Sequence, residues 1–239
     1  MSGKNMFRAR KGRVMSIQSA ITAVRCCLIA ASVAFVACAH EVKGEGSGKL
    51  FPPERIEELE EPREWQKPEQ IMEFLDLVEG NVVADIGTGT GFFALYLSDW
   101  VGDTGLVYAE DIQQEMVDYT TEKVEEEGVK NIKVVLGQPD DPGLPDNSLD
   151  LVLMANVYHE VENPVALLKS IAKDLKPDGR LIIIDWRTDR ESDFGPPMDE
   201  RVPQDTVELD AEGLNYYLVR HHPFLRTHYF LIFKKKPEL

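Results

Sequence analysis

Asp85 and the glycines at positions 87, 89 and 91 form the stretch of this chain whose residue types and spacing indicate a binding site. The apolar residues before Asp85 predict a buried strand, and those that begin at Phe92 predict a helix. Alternating glycines let the backbone turn sharply and approach a ligand without Cβ collisions. The free N–H groups at the start of the helix point back at this turn. The sequence therefore predicts a nucleotide-type ligand at the end of the first strand.

The pattern Asp-x-Gly-x-Gly-x-Gly resembles the nucleotide-binding loop of the class I S-adenosylmethionine (SAM) methyltransferases. This resemblance implies that Gly87, Thr88, Gly89 and Gly91 bind SAM, with the glycines packed against its methionine tail and ribose. It also implies that Asp85 either holds the loop or engages the ammonium group of that tail.

A dinucleotide-binding loop is the alternative interpretation of the same glycines. Gly89, Gly91 and Ala94 fit the Gly-x-Gly-x-x-Ala form of that fingerprint, and Asp111 follows at about its usual spacing. Such a site would bind NAD, and the protein would then be an oxidoreductase. The carboxylate of Asp85 favours SAM, because a cationic end of the ligand near the loop would favour an acidic residue there.

Asp111 and Ile112 end the second predicted strand and are similar to the acid-then-isoleucine pattern of the methyltransferase family. The resemblance implies that the Asp111 carboxylate accepts hydrogen bonds from both ribose hydroxyls, a geometry that a neutral side chain meets poorly. The neighbouring Glu110 would point the other way. The alternative for Asp111 is a solvated acid on an acidic protein.

Gln138, Pro139 and Asp140 follow the third predicted strand, where the family places its adenine contact. The family commonly has an acid at the position of Gln138. The carbonyl oxygen of a glutamine can still accept a hydrogen bond from the adenine amino group. Asp140 or a backbone group is the alternative partner for adenine.

Asn156, Tyr158 and His159 follow the fourth predicted strand, where the resemblance places residues beside the transferred methyl group. Asn156 would line the SAM pocket and Tyr158 would wall the methyl channel. His159 would act as a base or hold the substrate, because imidazole exchanges protons near neutrality. The alternative for His159 is a loop histidine that caps or packs.

Two later segments are interpreted as shape rather than chemistry. Asp185, Trp186 and Arg187 end the fifth predicted strand and face the acceptor. Gly195–Pro197 and Arg201 lie in the long segment before the last two strands, where this group builds its lid.

Strands that alternate with helices predict parallel βαβ units with helices on both faces of one sheet. Nearly continuous apolar strands such as Leu181–Ile184 are typical of strands covered on both faces. Leu214–Arg220 and Thr227–Phe233 predict an antiparallel hairpin at the sheet edge. With the resemblance, which covers most of residues 65–236, these patterns predict an α/β fold. It is a doubly wound, mostly parallel seven-stranded sheet with an antiparallel C-terminal hairpin. The predicted helices are 69–77, 92–98, 113–127 and 164–175, and the earlier strands are 82–85, 105–109, 131–136, 149–155 and 180–185.

The first 38 residues carry six basic residues and no acidic ones, with an apolar run over Cys26–Ala37. This pattern predicts a secretory leader. Cleavage before Cys38 would leave a thiol for lipid attachment to a membrane, and Ala37-Cys38-Ala39 also suits ordinary signal peptidase. An uncleaved tail or a misplaced start codon is the remaining alternative. We expect a cell-envelope location if the leader functions, and a cytoplasmic one otherwise.

The predicted domains are the leader (1–38), an acidic tether (39–64) and a SAM-dependent methyltransferase domain (65–239). All three cysteines lie in the leader, which excludes disulfides, thiolate metal sites and cysteine nucleophiles from the domain. His221, His222 and His228 lack nearby ligands at standard spacing, so no metal is predicted.

The net charge of the chain is −16, and removal of the leader makes it −22. Such a surface repels phosphate backbones and disfavours DNA or RNA as substrates. It suits a small-molecule or protein substrate, although acidity alone also keeps a protein soluble.

These observations predict a SAM-dependent methyltransferase that transfers the methyl group to a small-molecule acceptor by direct displacement. The donor is intrinsically activated, so the protein mainly supplies alignment, with a base where the nucleophile carries a proton. A non-catalytic binding module of the cell envelope on the same fold is a second hypothesis, because SAM is made in the cytoplasm. An NAD-dependent oxidoreductase is the third.

Overall fold

The order of the strands determines where this molecule can bind a ligand. A computed structural model describes residues 46–60 and 66–237. Within these residues, seven strands form one sheet in the order β3-β2-β1-β4-β5-β7-β6. Strand β7 runs antiparallel to both of its neighbours, and the other pairs are parallel. The strands are β1 (Val82–Ile86), β2 (Leu106–Asp111), β3 (Ile132–Leu136), β4 (Leu149–Ala155), β5 (Leu175–Trp186), β6 (Tyr216–His221) and β7 (His228–Lys235). The predicted fold is confirmed, and the strand order reverses between β1 and β4, where open α/β sheets bind ligands.

Helices cover both faces of the sheet and enclose two apolar cores. The described α-helices are α1 (Pro68–Phe74), α2 (Phe92–Val101), α3 (Gln114–Glu126), α4 (Pro164–Asp174) and α5 (Gln204–Gly213). Strand β5 shows the alternation clearly, because Ile182 and Ile184 pack with α1 and α2 while Leu181 and Ile183 pack with α4 and α5. These four side chains are fully buried. Each such burial contributes roughly 1.5–3 kcal/mol to folding.

The C-terminal third differs in detail from the sequence prediction. Strand β5 begins at Leu175 rather than at residue 180. Helix α5 was not predicted, because only Val207, Asp210 and Ala211 are buried along it and its apolar periodicity is weak. Asn215 adopts a left-handed φ of 69° after this helix, and β6 begins at the next residue.

Residues 46–60 pack along the carboxyl edge of the sheet and include a 3₁₀ helix, Pro53–Glu60. Lys123 of α3 forms an ion pair of 2.6 Å with Glu60, and the N–H of Ser47 donates to the carbonyl of His159 at 2.7 Å. This part of the predicted tether therefore contacts the sheet domain. The predicted leader and Cys38 lie outside the described residues, as do the rest of the tether and the predicted domain start at residue 65. In the part of the chain that is described, no helix has the length and apolar character needed to span a bilayer.

Candidate cofactor site and acid–base cluster

The glycine loop after β1 has the backbone conformation that its residues predict. Gly87, Gly89 and Gly91 have φ values of 65°, 55° and 74°, in the left-handed region that glycine adopts at little cost. A Cβ on Gly87 would lie 2.5 Å from Cγ2 of Val157, so a side chain at this position would clash with Val157. Gly91 caps the N-terminus of α2. The loop therefore forms a narrow cradle between β1, α2 and the segment after β4.

Asp85, in strand β1, holds this loop through hydrogen bonds to its carboxylate. Its carboxylate accepts a hydrogen bond of 2.8 Å from the Thr88 hydroxyl, and the backbone N–H of Ala94 donates to it as well. Burial raises the pKa of Asp85 to about 7, although these hydrogen bonds act in the opposite direction. Of the two roles expected for Asp85, the described contacts show the one that holds the loop.

Asp111 and Glu110 both contact the loop from the end of β2. Asp111 accepts hydrogen bonds of 3.0 Å from the N–H groups of Gly89 and Gln113. Glu110 was expected to point the other way, but its Oε2 accepts a hydrogen bond of 3.4 Å from the N–H of Gly87. The expectation failed because it assumed strict strand alternation, whereas the loop folds over the strand end and meets both side chains.

Gly137 explains how Glu110 fits there. A Cβ at Gly137 would lie 1.7 Å from Oε1 of Glu110, so only glycine leaves room for the buried carboxyl. Burial, followed by the neighbouring charge of Asp111, raises the pKa of Glu110 to about 8. Burial also raises the pKa of Asp111, against the hydrogen bonds from Gln113 and Gly89. Three carboxyl groups thus lie buried around one loop.

The segment after β3 leaves the predicted adenine contact unassigned. Gln138 and Asp141 exchange backbone hydrogen bonds of 2.8 and 3.1 Å, which closes a tight turn. Gln138, Pro139 and Asp140 are exposed on this turn. The assignment of adenine to Gln138 and Pro139, with Asp140 as the alternative, stays a prediction.

Asn156 follows β4 and carries an unsatisfied acceptor. It adopts a left-handed φ of 62°, and its N–H donates to the carbonyl of Ile184 at 2.8 Å. Its Oδ1 is buried and has no hydrogen-bond partner among the described residues. A buried polar atom without a partner is costly, so this oxygen fits a donor supplied by a ligand.

His159 is held against Asp185 at the end of β5. Its Nδ1 lies 2.8 Å from Oδ1 of Asp185, and its backbone N–H donates to Oδ2 at 3.1 Å. Burial alone would lower the pKa of His159, but the charge and hydrogen bond of Asp185, helped by Glu160, raise it above its ordinary value. The imidazole therefore has a fixed orientation beside the ends of β4 and β5.

Tyr158 does not wall a channel. Its side chain is fully buried, and its hydroxyl donates a 2.8 Å hydrogen bond to Oδ2 of Asp210 in α5. Burial and this neighbouring carboxylate raise the pKa of the phenol far above its ordinary value. The prediction of a catalytic role for Tyr158 is corrected to a structural one, because the 3₁₀ turn Tyr158–Glu160 directs the ring into the core.

The segment after β5 lines an open cavity of about 520 Å³ whose wall includes Gly195, Met198 and Arg201. The Arg201 guanidinium donates to the carbonyls of Pro196, Arg187 and Arg190, and lies 5.2 Å from the centre of the Trp186 ring. It therefore holds this segment in place, as the prediction of shape rather than chemistry requires. Among the three residues predicted at the end of the fifth strand, Asp185 contacts His159.

The histidines of the hairpin lie among aromatic rings. The His222 ring is 4.0 Å from that of Phe74, and the His228 ring is 4.0 Å from that of Trp186. No cluster of three or more histidine, cysteine or acidic side chains suited to a metal ion occurs in the residues covered by the structure.

Known proteins are similar to this chain in sequence and in fold. A family described as "Methyltransferase domain" matches residues 84–183. A SAM-dependent methyltransferase from Aquifex aeolicus is 36% identical, with 77% of this chain and 98% of that one covered at a TM-score of 0.74. A ubiquinone/menaquinone biosynthesis C-methyltransferase, UbiE, from Pseudomonas putida is 36% identical over 108 residues, which are 45% of this chain and 42% of that protein. A demethylmenaquinone methyltransferase from Geobacillus kaustophilus is 28% identical over 117 residues, 49% of this chain and 50% of that protein. The chain thus spans about half the length of these two curated relatives.

The residues around the loop fit SAM as the cofactor. SAM carries one net positive charge, which the buried carboxyl groups of Asp85, Glu110 and Asp111 would offset. The cradle left by the glycines admits its tail, and Oδ1 of Asn156 offers an acceptor to one of its donors. The NAD alternative is set aside, because the Aquifex methyltransferase is similar to this chain in sequence and in fold over 98% of its own length. This chain belongs to the SAM-dependent methyltransferase family and is an enzyme of that class.

Proposed function

We propose that this enzyme methylates a small-molecule acceptor whose nucleophile carries a proton, with His159 in the acid–base role. When bound, SAM supplies a methyl group whose transfer breaks its bond to sulfur and leaves the electron pair on sulfur. The observation that carries the proposal is the His159–Asp185 pair, which lies beside the ends of β4 and β5 next to the cofactor cradle. A fixed imidazole at this edge can take the proton that the acceptor loses.

A reduced quinone is the first acceptor class to assay. One curated relative is named a ubiquinone/menaquinone biosynthesis C-methyltransferase and the other a demethylmenaquinone methyltransferase. A small aromatic diol carries the ionisable protons that His159 would accept. The cavity lined by residues 191–198, Arg201 and Arg226 has a volume of about 520 Å³, which is large enough for a bicyclic ring. The net charge of −16 supports an uncharged acceptor over a polyanionic one.

The test measures S-adenosylhomocysteine formation by the full chain with a short-chain demethylmenaquinol. His159→Asn is expected to lower kcat about 100-fold or more while the affinity for S-adenosylhomocysteine stays within about threefold. His221→Asn, on β6 far from the cradle, is the matched control and should keep full activity. Equal turnover by the His159 variant would contradict its role. No turnover by the wild-type enzyme, with cofactor binding intact, would remove the quinol as acceptor.

We also propose that the leader directs the enzyme to the cell envelope through Cys38. The support is the sequence of residues 1–38, in which six basic residues precede the apolar run Cys26–Ala37 and Cys38 follows it. Cell fractionation tests it: the wild-type chain should appear in the membrane fraction, and Cys38→Ser should release it. A full-length protein found wholly in the cytosol would contradict the proposal.

A further inference from the structure

Asp185, His159 and Glu160 form a row of ionisable side chains that runs from the core to the surface. Their exposed fractions rise in that order, at 1%, 6% and 21%. Nδ1 of His159 lies 2.8 Å from Oδ1 of Asp185, and Nε2 lies 3.7 Å from Oε1 of Glu160. Each nitrogen of the imidazole therefore faces a carboxyl group.

Asp185 fixes the inner end of this row. Its carboxylate accepts hydrogen bonds from the His159 backbone and ring and from the N–H of Trp186, at 2.6 Å for the last. Burial alone would raise the pKa of Asp185, but His159 and these hydrogen bonds lower it below its ordinary value. An ionised carboxylate accepts and cannot donate, so Nδ1 carries the ring proton and Nε2 is left to exchange one.

Glu160 links the outer end of the row to the cofactor side. Its Oε2 accepts a 3.0 Å hydrogen bond from the N–H of Phe51, and the carbonyl of Phe51 accepts one of 3.2 Å from the Gln113 side chain. Gln113 also donates its backbone N–H to Asp111. Two residues, Phe51 and Gln113, thus connect Glu160 to Asp111 of the predicted ribose site. Burial raises the pKa of Glu160 to about 7, although His159 acts in the opposite direction.

We propose that Asp185, His159 and Glu160 act as a proton relay, in which Glu160 meets the acceptor, His159 receives the proton and Asp185 positions the imidazole. This inference rests on the proposed function and extends it to two residues. As the acceptor attacks the methyl carbon, its proton moves to the Glu160 carboxylate and from there to Nε2 of His159. The 3.7 Å separation must shorten for that step, as catalytic hydrogen bonds commonly do once ligands bind.

Nitrogen-detected NMR of the full chain with ¹⁵N-labelled histidine tests the relay without an acceptor. The His159 signal, assigned by its loss in His159→Gln, should show a proton on Nδ1. The groups that act on its titration are Asp185, Glu160, Arg201 and His228. If His159 and Glu160 share a proton, Glu160→Gln should lower the titration midpoint of His159 by at least about 0.5 pH unit. Asp185→Asn should lower it further and change the tautomer.

Glu162→Gln is the matched control, because Glu162 is exposed two residues further along the chain. It should leave the His159 midpoint unchanged, which separates the relay from a general loss of negative charge. A midpoint in Glu160→Gln within about 0.2 unit of wild type would overturn the relay and leave Glu160 as an anchor for Phe51. Since Glu160 is partly exposed, this variant should fold even if Asp185→Asn does not. The measurement stands apart from the acceptor assay, so the relay can fail while the methyltransferase proposal holds, and the reverse.

Discussion

Asp111→Asn is expected to weaken the binding of S-adenosylhomocysteine about 100-fold. The Asp111 carboxylate accepts hydrogen bonds from the N–H groups of Gly89 and Gln113, and the family resemblance assigns the ribose hydroxyls to it as well. A hydrogen bond to a charged group contributes about 1.5–3 kcal/mol. The loss of about 3 kcal/mol in all corresponds to roughly two orders of magnitude in Kd. Isothermal titration calorimetry on the full chain measures this change directly.

Asp118→Asn is the matched control, because it removes the same charge at a site where we expect no contact with the cofactor. Asp118 is exposed on α3 and accepts a 2.7 Å hydrogen bond from the Gln114 side chain. Its variant should bind S-adenosylhomocysteine within about twofold of wild type, as surface substitutions usually do. A comparable loss in both variants would assign the effect to net charge. An Asp111 variant that binds like wild type would remove Asp111 from the ribose site.

The order of helices and strands was predictable because most of them carry a local pattern. Leu149–Ala155 matches its predicted bounds, since a doubly covered strand is a continuous apolar run between turn residues. Helix α5 carries no such signal, because it buries few side chains and two of the three that it buries are not large apolar groups. Its position is decided by packing against Tyr216, which follows it closely, and against α4, which lies well before it in the chain.

Within the candidate site, too, local contacts were predictable from the sequence and long-range contacts were not. Asp85 and the glycine loop lie within a few residues of one another, so a short sequence pattern was enough to predict that they act together. The His159–Asp185 pair joins residues 26 positions apart, and Tyr158 meets Asp210 over 52 positions. Periodicity cannot show that Tyr158 and His159 are both buried with different partners, because Asp210 and Asp185 come from later parts of the chain.

In the absence of cofactor, the enzyme is expected to lose stability as the pH rises from 5 to 8. Burial raises the pKa of Asp85 to about 7 and that of Glu110 to about 8, and it raises the pKa values of Glu160 and Asp174 to about 7. In the unfolded chain these groups titrate near 4. Over this interval the folded state binds more protons than the unfolded state, so the free energy of unfolding falls with rising pH. The slope is up to about 1.4 kcal/mol per pH unit for each carboxyl involved.

Glu110→Gln isolates one of these groups, because glutamine is neutral at every pH and its carbonyl can still accept from the N–H of Gly87. We expect the variant to be up to about 4 kcal/mol more stable than wild type at pH 7.5 and nearly equally stable near pH 4.5. Urea denaturation at several pH values measures both. Glu122→Gln, at an exposed position of α3, makes the same change in net charge and should keep the wild-type slope. A Glu110 variant with that same slope would contradict the assignment.

The carboxyl group of Glu110 should also affect the binding of SAM differently from that of its demethylated product, S-adenosylhomocysteine. SAM keeps one net positive charge that S-adenosylhomocysteine has lost, so only SAM gains attraction when Glu110 and Asp85 ionise. Its affinity should therefore increase between pH 6 and pH 8 while that of S-adenosylhomocysteine changes little, because a cation favours the charged form of nearby acids. In Glu110→Gln the increase for SAM should be smaller. Stability and affinity then move in opposite directions with pH, since the buried charge that weakens the empty fold is the charge that a cationic cofactor neutralises.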